Sequence, residues 1–192
     1  IGDYVWHDVD ANGIQDANEV GIGGVTVTLT DVLGNSVLDA NGNPVGNTTT
    51  LPNGFYEFTN LAPGNYIVVF ADPVNYQNSQ KNQGTDDSKD SDVDAISNKS
   101  DIVNLSYGEN DRTIDAGYFK YASLGDFAWE DVNGNGLQDI NEPGIEGVAI
   151  SLTGVLNYKD NNGLNVLVPP SIVLTDNNGE YQFTNLVPGT YT

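Results

Sequence analysis

Hydrophobic and polar residues alternate along several short stretches of the chain. Residues 25–30 read Val-Thr-Val-Thr-Leu-Thr, and residues 148–153 read Val-Ala-Ile-Ser-Leu-Thr. Such an alternation, in which every second residue is apolar, is typical of a strand that buries one face. Comparable patterns predict further strands at 1–6, 56–58, 66–70, 101–105 and 113–119.

Turn residues separate these stretches. Asn53-Gly54 precedes one predicted strand as a hairpin-type turn, and Pro63-Gly64 follows it as a tight turn. No window carries the sustained apolar stripe of an amphipathic helix. The chain is therefore predicted to be all-β, built as immunoglobulin-like antiparallel β-sandwiches.

The chain contains an internal repeat. Residues 1–30 match residues 124–153 without gaps, and residues 53–66 match residues 178–191. We predict two tandem domains, 1–120 and 124–192, joined by a short linker at 121–123. Thr192 corresponds to Ile67, so we expect the second domain to be incomplete at its C-terminal end. Its last strands would come either from further residues of the same protein or from another chain.

The charge balance excludes several function classes. Asp and Glu number 27 against 6 Lys and Arg, and the formal net charge is -21. A nucleic-acid binder needs a basic face, and so does a protein that binds an anionic membrane surface. Cys is absent and His occurs once, which excludes thiolate catalysis and Cys/His zinc sites. No apolar run is long enough for direct insertion into a membrane.

A twelve-residue acidic segment follows the first predicted strand. Residues 8–19 read Asp-Val-Asp-Ala-Asn-Gly-Ile-Gln-Asp-Ala-Asn-Glu, which matches an EF-hand calcium loop position by position. Side-chain oxygens at the first, third and fifth positions converge only where the chain coils tightly, and Gly13 permits that turn. An all-oxygen ligand set of this size favours Ca²⁺ over Mg²⁺. The predicted ligands are Asp8, Asp10, Asn12, the carbonyl of Ile14, Asp16 and Glu19.

The same segment recurs in the second domain at residues 131–142. Its predicted ligands are Asp131, Asn133, Asn135, the carbonyl of Leu137, Asp139 and Glu142. Two features depart from a helical EF-hand. The loop follows a strand, and Gln15 or Gln138 stands where an apolar residue usually pairs two loops. The repetition favours calcium over the alternative, a polar surface turn whose carboxylates only solubilise the domain.

A second acidic segment lies between predicted strands of the first domain. The alternating spacing of Asp90, Asp92 and Asp94 is that of metal ligands, although Ala95 stands where an EF-hand loop has glycine. The alternative is a solvated acidic loop. We favour the interpretation as a metal site.

No residue set supports catalysis. A Ser-His-Asp triad would have to use His7, whose counterpart in the second domain is Glu130. Trp6 and Trp129 occupy equivalent strand positions beside the two acidic loops. Both are predicted to pack in the core or against the calcium loop rather than to form sugar-binding platforms. We therefore expect a protein that is not an enzyme.

These residues resemble the B-like domains of the serine-aspartate repeat surface proteins (SdrD B-like domains), which are related to the collagen-adhesin B-type (CnaB-like) fold. The resemblance is carried by Gly-Asp-Tyr-Val-Trp at 2–6, the acidic loop at 8–19, Asn-Gly-Phe-Tyr-Glu-Phe at 53–58, Asp-Ser-Asp at 90–92 and Asp-Ala-Gly-Tyr at 115–118. It implies tandem calcium-stiffened sandwiches on the surface of a bacterium. Some related domains carry an isopeptide bond, which we do not expect because no Lys precedes Lys81 in the first domain.

The sequence thus predicts a calcium-dependent structural repeat in the stalk of an exported bacterial adhesin or filament protein. Its predicted partners are calcium ions and neighbouring repeats of the same chain, with other protein subunits or surface glycans as further candidates. The alternative is an adhesion module that recognises a glycan or host protein through the loops predicted at 31–50 or 154–172. Binding assays at fixed calcium distinguish the two, because a pure spacer binds neither ligand.

Overall fold

Thirteen strands make up the regular structure of the chain, and no residue is helical. The computed structural model describes residues 1–192, which divide into unit 1, Ile1–Lys120, and unit 2, Tyr121–Thr192. No element has the helical form, length and hydropathy needed to span a membrane. The all-β class predicted from the alternating pattern is confirmed.

Unit 1 contains eight strands. They are β1 (Gly2–His7), β2 (Thr26–Thr30), β3 (Thr48–Thr49), β4 (Phe55–Glu57), β5 (Gly64–Phe70), β6 (Gln77–Asn78), β7 (Val103–Leu105) and β8 (Ala116–Phe119). One four-stranded sheet has the order β4-β1-β8-β6, and the other has the order β3-β2-β5-β7.

The core of unit 1 lies between these two sheets. On β2, Val27 and Leu29 are buried, whereas the threonines between and beside them are more exposed, as the alternation predicts. Tyr56 of β4 meets Phe70 of β5 edge to face, with ring centroids 5.5 Å apart. Such a pair contributes about 0.5–1.5 kcal/mol beyond the apolar area that it buries. Contacts of this kind join the two sheets into a sandwich.

One strand pair in unit 1 departs from the antiparallel prediction. The strands β1 and β8 run parallel, with Val5 opposite Ala116 and Trp6 opposite Gly117. These strands are joined by nearly the whole unit, so no hairpin turn forces them to be antiparallel. The pairing brings the end of β1, and the acidic loop that follows it, next to the last strand of the unit.

Unit 2 repeats the first part of this arrangement. Its strands are β9 (Ala122–Phe127), β10 (Ala149–Lys159), β11 (Asn165–Leu174), β12 (Glu180–Leu186) and β13 (Gly189–Tyr191). The pairs are β9 with β12, and a three-stranded sheet of order β11-β10-β13. Asp126 lies opposite Tyr181, which reproduces the pairing of Asp3 with Tyr56 in unit 1. The sequence repeat is therefore also a repeat of strand register.

The segment 154–172, interpreted as a loop from the sequence, is instead part of a long hairpin formed by β10 and β11. Its turn closes at Asp160, whose Oδ1 accepts the N–H groups of Asn162 and Leu164 at 2.8 and 2.9 Å. The register shifts between Leu152 and Gly154, opposite the Pro-Pro pair at 169–170. Proline cannot donate to a neighbouring strand, so the prolines are accommodated at an irregularity of the ladder.

Four aspartates are used in turns of one type. The carboxylate of each aspartate accepts the N–H groups of the residues two and four positions later in the chain. The residue three positions after each aspartate is a glycine with positive φ. They are Asp31, Asp39, Asp160 and Asp176. Hydrogen bonds from the residue four positions later are the main reason why the pKa values of Asp31, Asp39 and Asp160 are lowered. These four aspartates therefore stabilise turns and are not candidates for a cation site.

Candidate metal centre

The segment that follows β1, residues 8–19, forms a coil closed by its own side chains; it is called loop 1 here. Asp8 is fully buried, and its carboxylate accepts the N–H groups of Asn12 at 3.1 Å and Gly13 at 2.8 Å. At the other end, Glu19 accepts the N–H groups of Val9 at 2.6 Å and Asp16 at 3.1 Å. The first and last acidic residues of the loop thereby hold its two ends together.

The carboxylates of loop 1 converge. One oxygen from each of Asp8, Asp10 and Glu19 lies within 4.8 Å of the other two. The side-chain amide of Asn12 donates to Asp10 and to Asp16, each at 3.2 Å. Asp8, Asp10 and Glu19 are thus brought together, and the amide group of Asn12 links Asp10 to Asp16. Ile14, predicted to offer its carbonyl, continues the coil by donating its N–H to Asn12 Oδ1 at 2.6 Å.

The backbone of loop 1 requires glycine at residue 13. Its φ is +79°, and an added Cβ would lie 2.2 Å from the carbonyl oxygen of Gln80. Ala11 also has a positive φ, of 56°, which costs a residue with a side chain about 1–2 kcal/mol. The tight coil that brings the carboxylate oxygens together therefore includes two residues with positive φ.

The electrostatics of loop 1 favour a cation. Burial raises the pKa of Asp8, and the charge of Asp10 raises it further. Burial likewise raises the pKa of Glu19, with smaller contributions from Asp8 and Asp10. Two carboxylates about 4 Å apart repel by roughly 4 kcal/mol at an effective dielectric constant near 20. The donor set contains only oxygen atoms, which suits a hard, flexible cation such as Ca²⁺.

Residues 131–142 in unit 2, called loop 2 here, have the same internal hydrogen bonds. Asp131 accepts the N–H groups of Asn135 at 3.0 Å and Gly136 at 2.7 Å. Glu142 accepts the N–H groups of residues 132 and 139 at 2.9 and 3.0 Å. Asn135 donates its side-chain amide to Asp139 at 2.9 Å and accepts the N–H of residue 137 at 2.6 Å. Each bond has its counterpart in loop 1.

The two loops differ in burial and in charge. Residues 131–140 are all exposed, whereas Asp8 in loop 1 has no exposed surface. Asn133 replaces the carboxylate of Asp10, so loop 2 carries one negative charge fewer. Asn133 also donates to Asp139 at 2.7 Å. Loop 2 therefore shares most of the internal hydrogen bonds of loop 1 and has one carboxylate fewer.

The second acidic segment gathers a different set from the one that the sequence predicts. Asp87, Asp90 and Asp92, called the acidic cluster here, place one carboxylate oxygen each within 4.8 Å of the others. Asp94 lies in a turn instead, where its Oδ1 accepts the N–H and the hydroxyl of Ser97 at 2.9 and 2.8 Å. The alternating spacing thus identified two of the three members, and the fold supplies Asp87.

The acidic cluster contains buried oxygens without partners. Oδ1 of Asp90 and Oδ2 of the nearby Asp115 are buried and accept no hydrogen bond. Burial is the main reason why the pKa is raised to about 6 for Asp90, about 8 for Asp92 and about 9 for Asp115, and neighbouring carboxylates add to each shift. Unpartnered buried acceptors beside like charges are expected where a cation is bound.

Asp115 was not among the predicted site residues. It is fully buried, its Oδ1 accepts the N–H of Tyr4 at 2.9 Å, and its own N–H donates to Asp92 Oδ2 at 2.7 Å. The signal in the sequence was the Asp-Ala-Gly-Tyr motif at 115–118, which marks the last strand of unit 1. Its proximity to Asp92 follows only from the three-dimensional pairing of the two segments.

Comparison with known proteins gives a match along almost the whole chain. The family model described as "SdrD B-like domain" matches residues 1–118 and, a second time, residues 122–192.

Similar proteins occur in staphylococci. The serine-aspartate repeat-containing protein F of Staphylococcus epidermidis (strain ATCC 12228 / FDA PCI 1200) is 42% identical over 193 residues, which cover 100% of this chain and 10% of that protein. The serine-aspartate repeat-containing protein D of Staphylococcus aureus (strain Newman) is also 42% identical, with 100% of this chain and 13% of that protein covered. The chain therefore spans a small part of the length of these relatives.

A solved structure, a streptococcal ancillary pilin, is similar over 99% of this chain and 52% of its own length, with 16% identity. The TM-score of 0.37 is too low to establish a shared fold.

Proposed function

The chain belongs to the SdrD B-like domain family, and on that premise we propose that it is a calcium-stabilised structural repeat in the stalk of an exported surface protein. Its relatives, the serine-aspartate repeat proteins of staphylococci, agree with an extracellular location at the bacterial surface. The proposed domains are 1–120 and 124–192, with 121–123 as the linker. The proposed partners are calcium ions and neighbouring repeats, and the proposed function involves no catalysis.

The observation that carries this proposal is the convergence of carboxylates in loop 1, within a set of hydrogen bonds that loop 2 shares. In each loop the first acidic residue accepts the N–H groups of the fifth and sixth residues, and the last acidic residue accepts those of the second and ninth. In loop 1 these bonds also bring one carboxylate oxygen from each of Asp8, Asp10 and Glu19 within 4.8 Å of the other two. A polar surface turn needs no such convergence of like charges, whereas a bound cation would be stabilised by it.

We assign the calcium ligands as follows. The proposed ligands are Asp8, Asp10, Asn12, Ile14, Asp16 and Glu19 in loop 1; Asp131, Asn133, Asn135, Leu137, Asp139 and Glu142 in loop 2; and Asp87, Asp90 and Asp92 in the acidic cluster. Burial and mutual repulsion disfavour the ionised form of these carboxylates. Bound calcium would neutralise their charge and so remove that unfavourable energy. At free calcium a hundredfold above the dissociation constant, each site would add about 2.7 kcal/mol to the free energy of unfolding.

Calorimetric titration of the full chain with calcium tests the assignment. The variants Glu19→Gln and Glu142→Gln should each remove one binding event and leave the other loop intact. Asp31→Asn and Asp176→Asn are matched controls, because these carboxylates serve turns, and they should titrate like the unsubstituted chain. If the two glutamate variants also titrate like the unsubstituted chain, the assignment is wrong.

The second candidate function, an adhesion module, is favoured by one observation. The β10–β11 hairpin exposes the apolar side chains of Leu167, Ile172 and Leu174, with 69%, 67% and 63% of their surface accessible. Screening of glycans and host proteins at a fixed calcium concentration tests it. Saturable binding that is lost in Leu167→Ser/Ile172→Ser would favour the adhesion module, and absence of binding would favour the spacer.

A further inference from the structure

We propose that loop 1 and the acidic cluster bind cations as a linked pair, so that occupancy of one site raises the affinity of the other. Loop 2, which has no acidic cluster beside it within residues 1–192, serves as the comparison. This inference rests on the proposed calcium function and adds a regulation to it.

A short antiparallel ladder joins the two sites. The N–H of Gln15 donates to the carbonyl of Lys89 at 2.6 Å, and the N–H of Ser91 donates to the carbonyl of Gly13 at 3.1 Å. Between these bonds, residues 14 and 90 lie opposite each other as an antiparallel bridge. Every member of the ladder is a ligand candidate or lies within two residues of one.

A second connection runs through the last strand of unit 1. The N–H of Asp8 donates to the carbonyl of Tyr118 on β8 at 2.9 Å. Just before β8, Asp115 exchanges two bonds with Asp92 of the acidic cluster: its carbonyl accepts the N–H of Asp92 at 2.9 Å, and its N–H donates to the carboxylate. Loop 1 and the acidic cluster are thus attached to each other and also to one shared strand.

The acidic cluster has a feature beyond its charge that indicates a ligand. Asp90 is 7% exposed, and its Oδ1 is buried without a hydrogen-bond partner. The carboxylates of Asp87 and Asp92 lie beside it. A bound cation would be the positively charged partner that this buried oxygen of Asp90 lacks.

Linkage follows because the same backbone has to be ordered for both sites. A cation in loop 1 fixes residues 13–15, and through the ladder it fixes residues 89–91, which carry Asp90. The first ion to bind then orders the backbone of both sites and loses the conformational entropy of that backbone. The second ion binds to a site that is already ordered, so it binds more tightly. Loop 2 shares these internal bonds, but within residues 1–192 no acidic cluster lies beside it. It provides a comparison within the same molecule.

The test uses the full chain and calcium titration calorimetry at physiological ionic strength. On a Glu142→Gln background, which leaves loop 1 and the acidic cluster, Asp90→Asn/Asp92→Asn should weaken loop 1 by about fivefold or more. On a Glu19→Gln background, which leaves loop 2, the same pair should change the affinity of loop 2 by less than about twofold. Equal affinities of loop 1 with and without Asp90→Asn/Asp92→Asn would overturn the linkage.

A charge-neutral variant separates the ladder from direct electrostatic attraction. Gln15→Pro removes the N–H that donates to Lys89, and Gln138→Pro is the matched change in loop 2. With Gln15→Pro present, Asp90→Asn/Asp92→Asn should weaken loop 1 by less than about twofold. An undiminished effect would assign the coupling to charge alone and would overturn the role of the ladder.

Amide hydrogen exchange provides a measurement that needs no proline. In Glu19→Gln, calcium at the acidic cluster should slow exchange of the Gln15 amide. In Asp90→Asn/Asp92→Asn, calcium at loop 1 should slow exchange of the Ser91 amide. Protection confined to the occupied site would contradict the proposal. If the unsubstituted chain binds no calcium, the proposed function itself fails, and this outcome is distinct from binding without linkage.

Discussion

Asp92 and Asp115 are joined by two hydrogen bonds, one from the N–H of Asp115 to the Asp92 carboxylate at 2.7 Å and one from the N–H of Asp92 to the Asp115 carbonyl at 2.9 Å. Asp115 is buried and Asp92 is half-buried. Burial and neighbouring carboxylates raise the pKa to about 8 for Asp92 and about 9 for Asp115. Without a cation, protonation of these two carboxylates therefore stabilises the folded state.

Calcium-free protein should therefore become more stable as the pH falls from 8 to 5.5. The folded state holds protons on Asp90, Asp92 and Asp115 that the unfolded chain, with pKa values near 4, has released. The free energy of unfolding then falls as the pH rises between about 4 and 9. Thermal melts of calcium-depleted protein across this range measure it.

Excess calcium should abolish this dependence, because the ion binds deprotonated carboxylates and replaces the protons. Asp31→Asn is the control. The pKa of Asp31 is lowered, so this carboxylate contributes to the pH dependence of stability only below the pH range of the melts. A calcium-free melting temperature that is the same at pH 5.5 and pH 8 would show that these carboxylates are not stabilised by protons.

Truncation of Asp115 should separate its structural contribution from its charge. Asp115→Ala leaves the N–H of Tyr4 without its acceptor and should lower the free energy of unfolding by about 1–3 kcal/mol. Asp115→Asn keeps an acceptor oxygen and should cost less than half as much in calcium-free protein. Urea unfolding of both variants checks this, and equal losses would count against the assigned hydrogen bond.

Alanine at the sixth loop position should damage loop 1 more than loop 2. Both Gly13 and Gly136 have positive φ, so either substitution costs about 1–2 kcal/mol of backbone strain. Only at Gly13 would the new Cβ also collide with a backbone oxygen, that of Gln80; at Gly136 the space is open. Calcium affinity and urea stability of Gly13→Ala and Gly136→Ala measure the difference. Equal effects would mean that residue 80 moves away freely.

The contact between β1 and β8 should also be sensitive to an added side chain at a glycine. A Cβ added to Gly117 would lie 2.7 Å from the indole of Trp6, which is fully buried. Gly117→Ala should therefore destabilise the protein by about 1–3 kcal/mol through overpacking. Gly46→Ala, which meets nothing within 4 Å and has no positive φ, should be close to neutral. Similar melting temperatures for the two variants would contradict the packing that we describe.

Local chemistry explains how much of this structure could be predicted from the sequence. The period-two pattern identified β2 because its Val27 and Leu29 face the core. The spacing of the acidic residues identified the side chains that converge in loop 1, because a twelve-residue coil is specified by local turns. The strand class and the loop geometry are properties of contiguous residues, and a sequence displays these directly.

What the sequence did not predict depends on contacts between distant segments. Asp87 replaces Asp94 in the acidic cluster, and Asp115, just before β8, is hydrogen-bonded to Asp92 of that cluster. The parallel pairing of β1 with β8 has no local signature either. The β10–β11 hairpin was overlooked for another reason, since the Pro-Pro pair at 169–170 argues against a strand until a ladder irregularity accommodates it.

The central claim is that bound calcium holds these carboxylates together, and calcium removal tests it most directly. The full chain should be melted, and its hydrodynamic radius measured, in excess calcium and after complete depletion at pH 8. We predict a melting temperature that falls by several degrees or more on depletion, a larger radius, and recovery of both when calcium, but not magnesium, is restored. An unchanged melting temperature and radius after depletion would contradict the account.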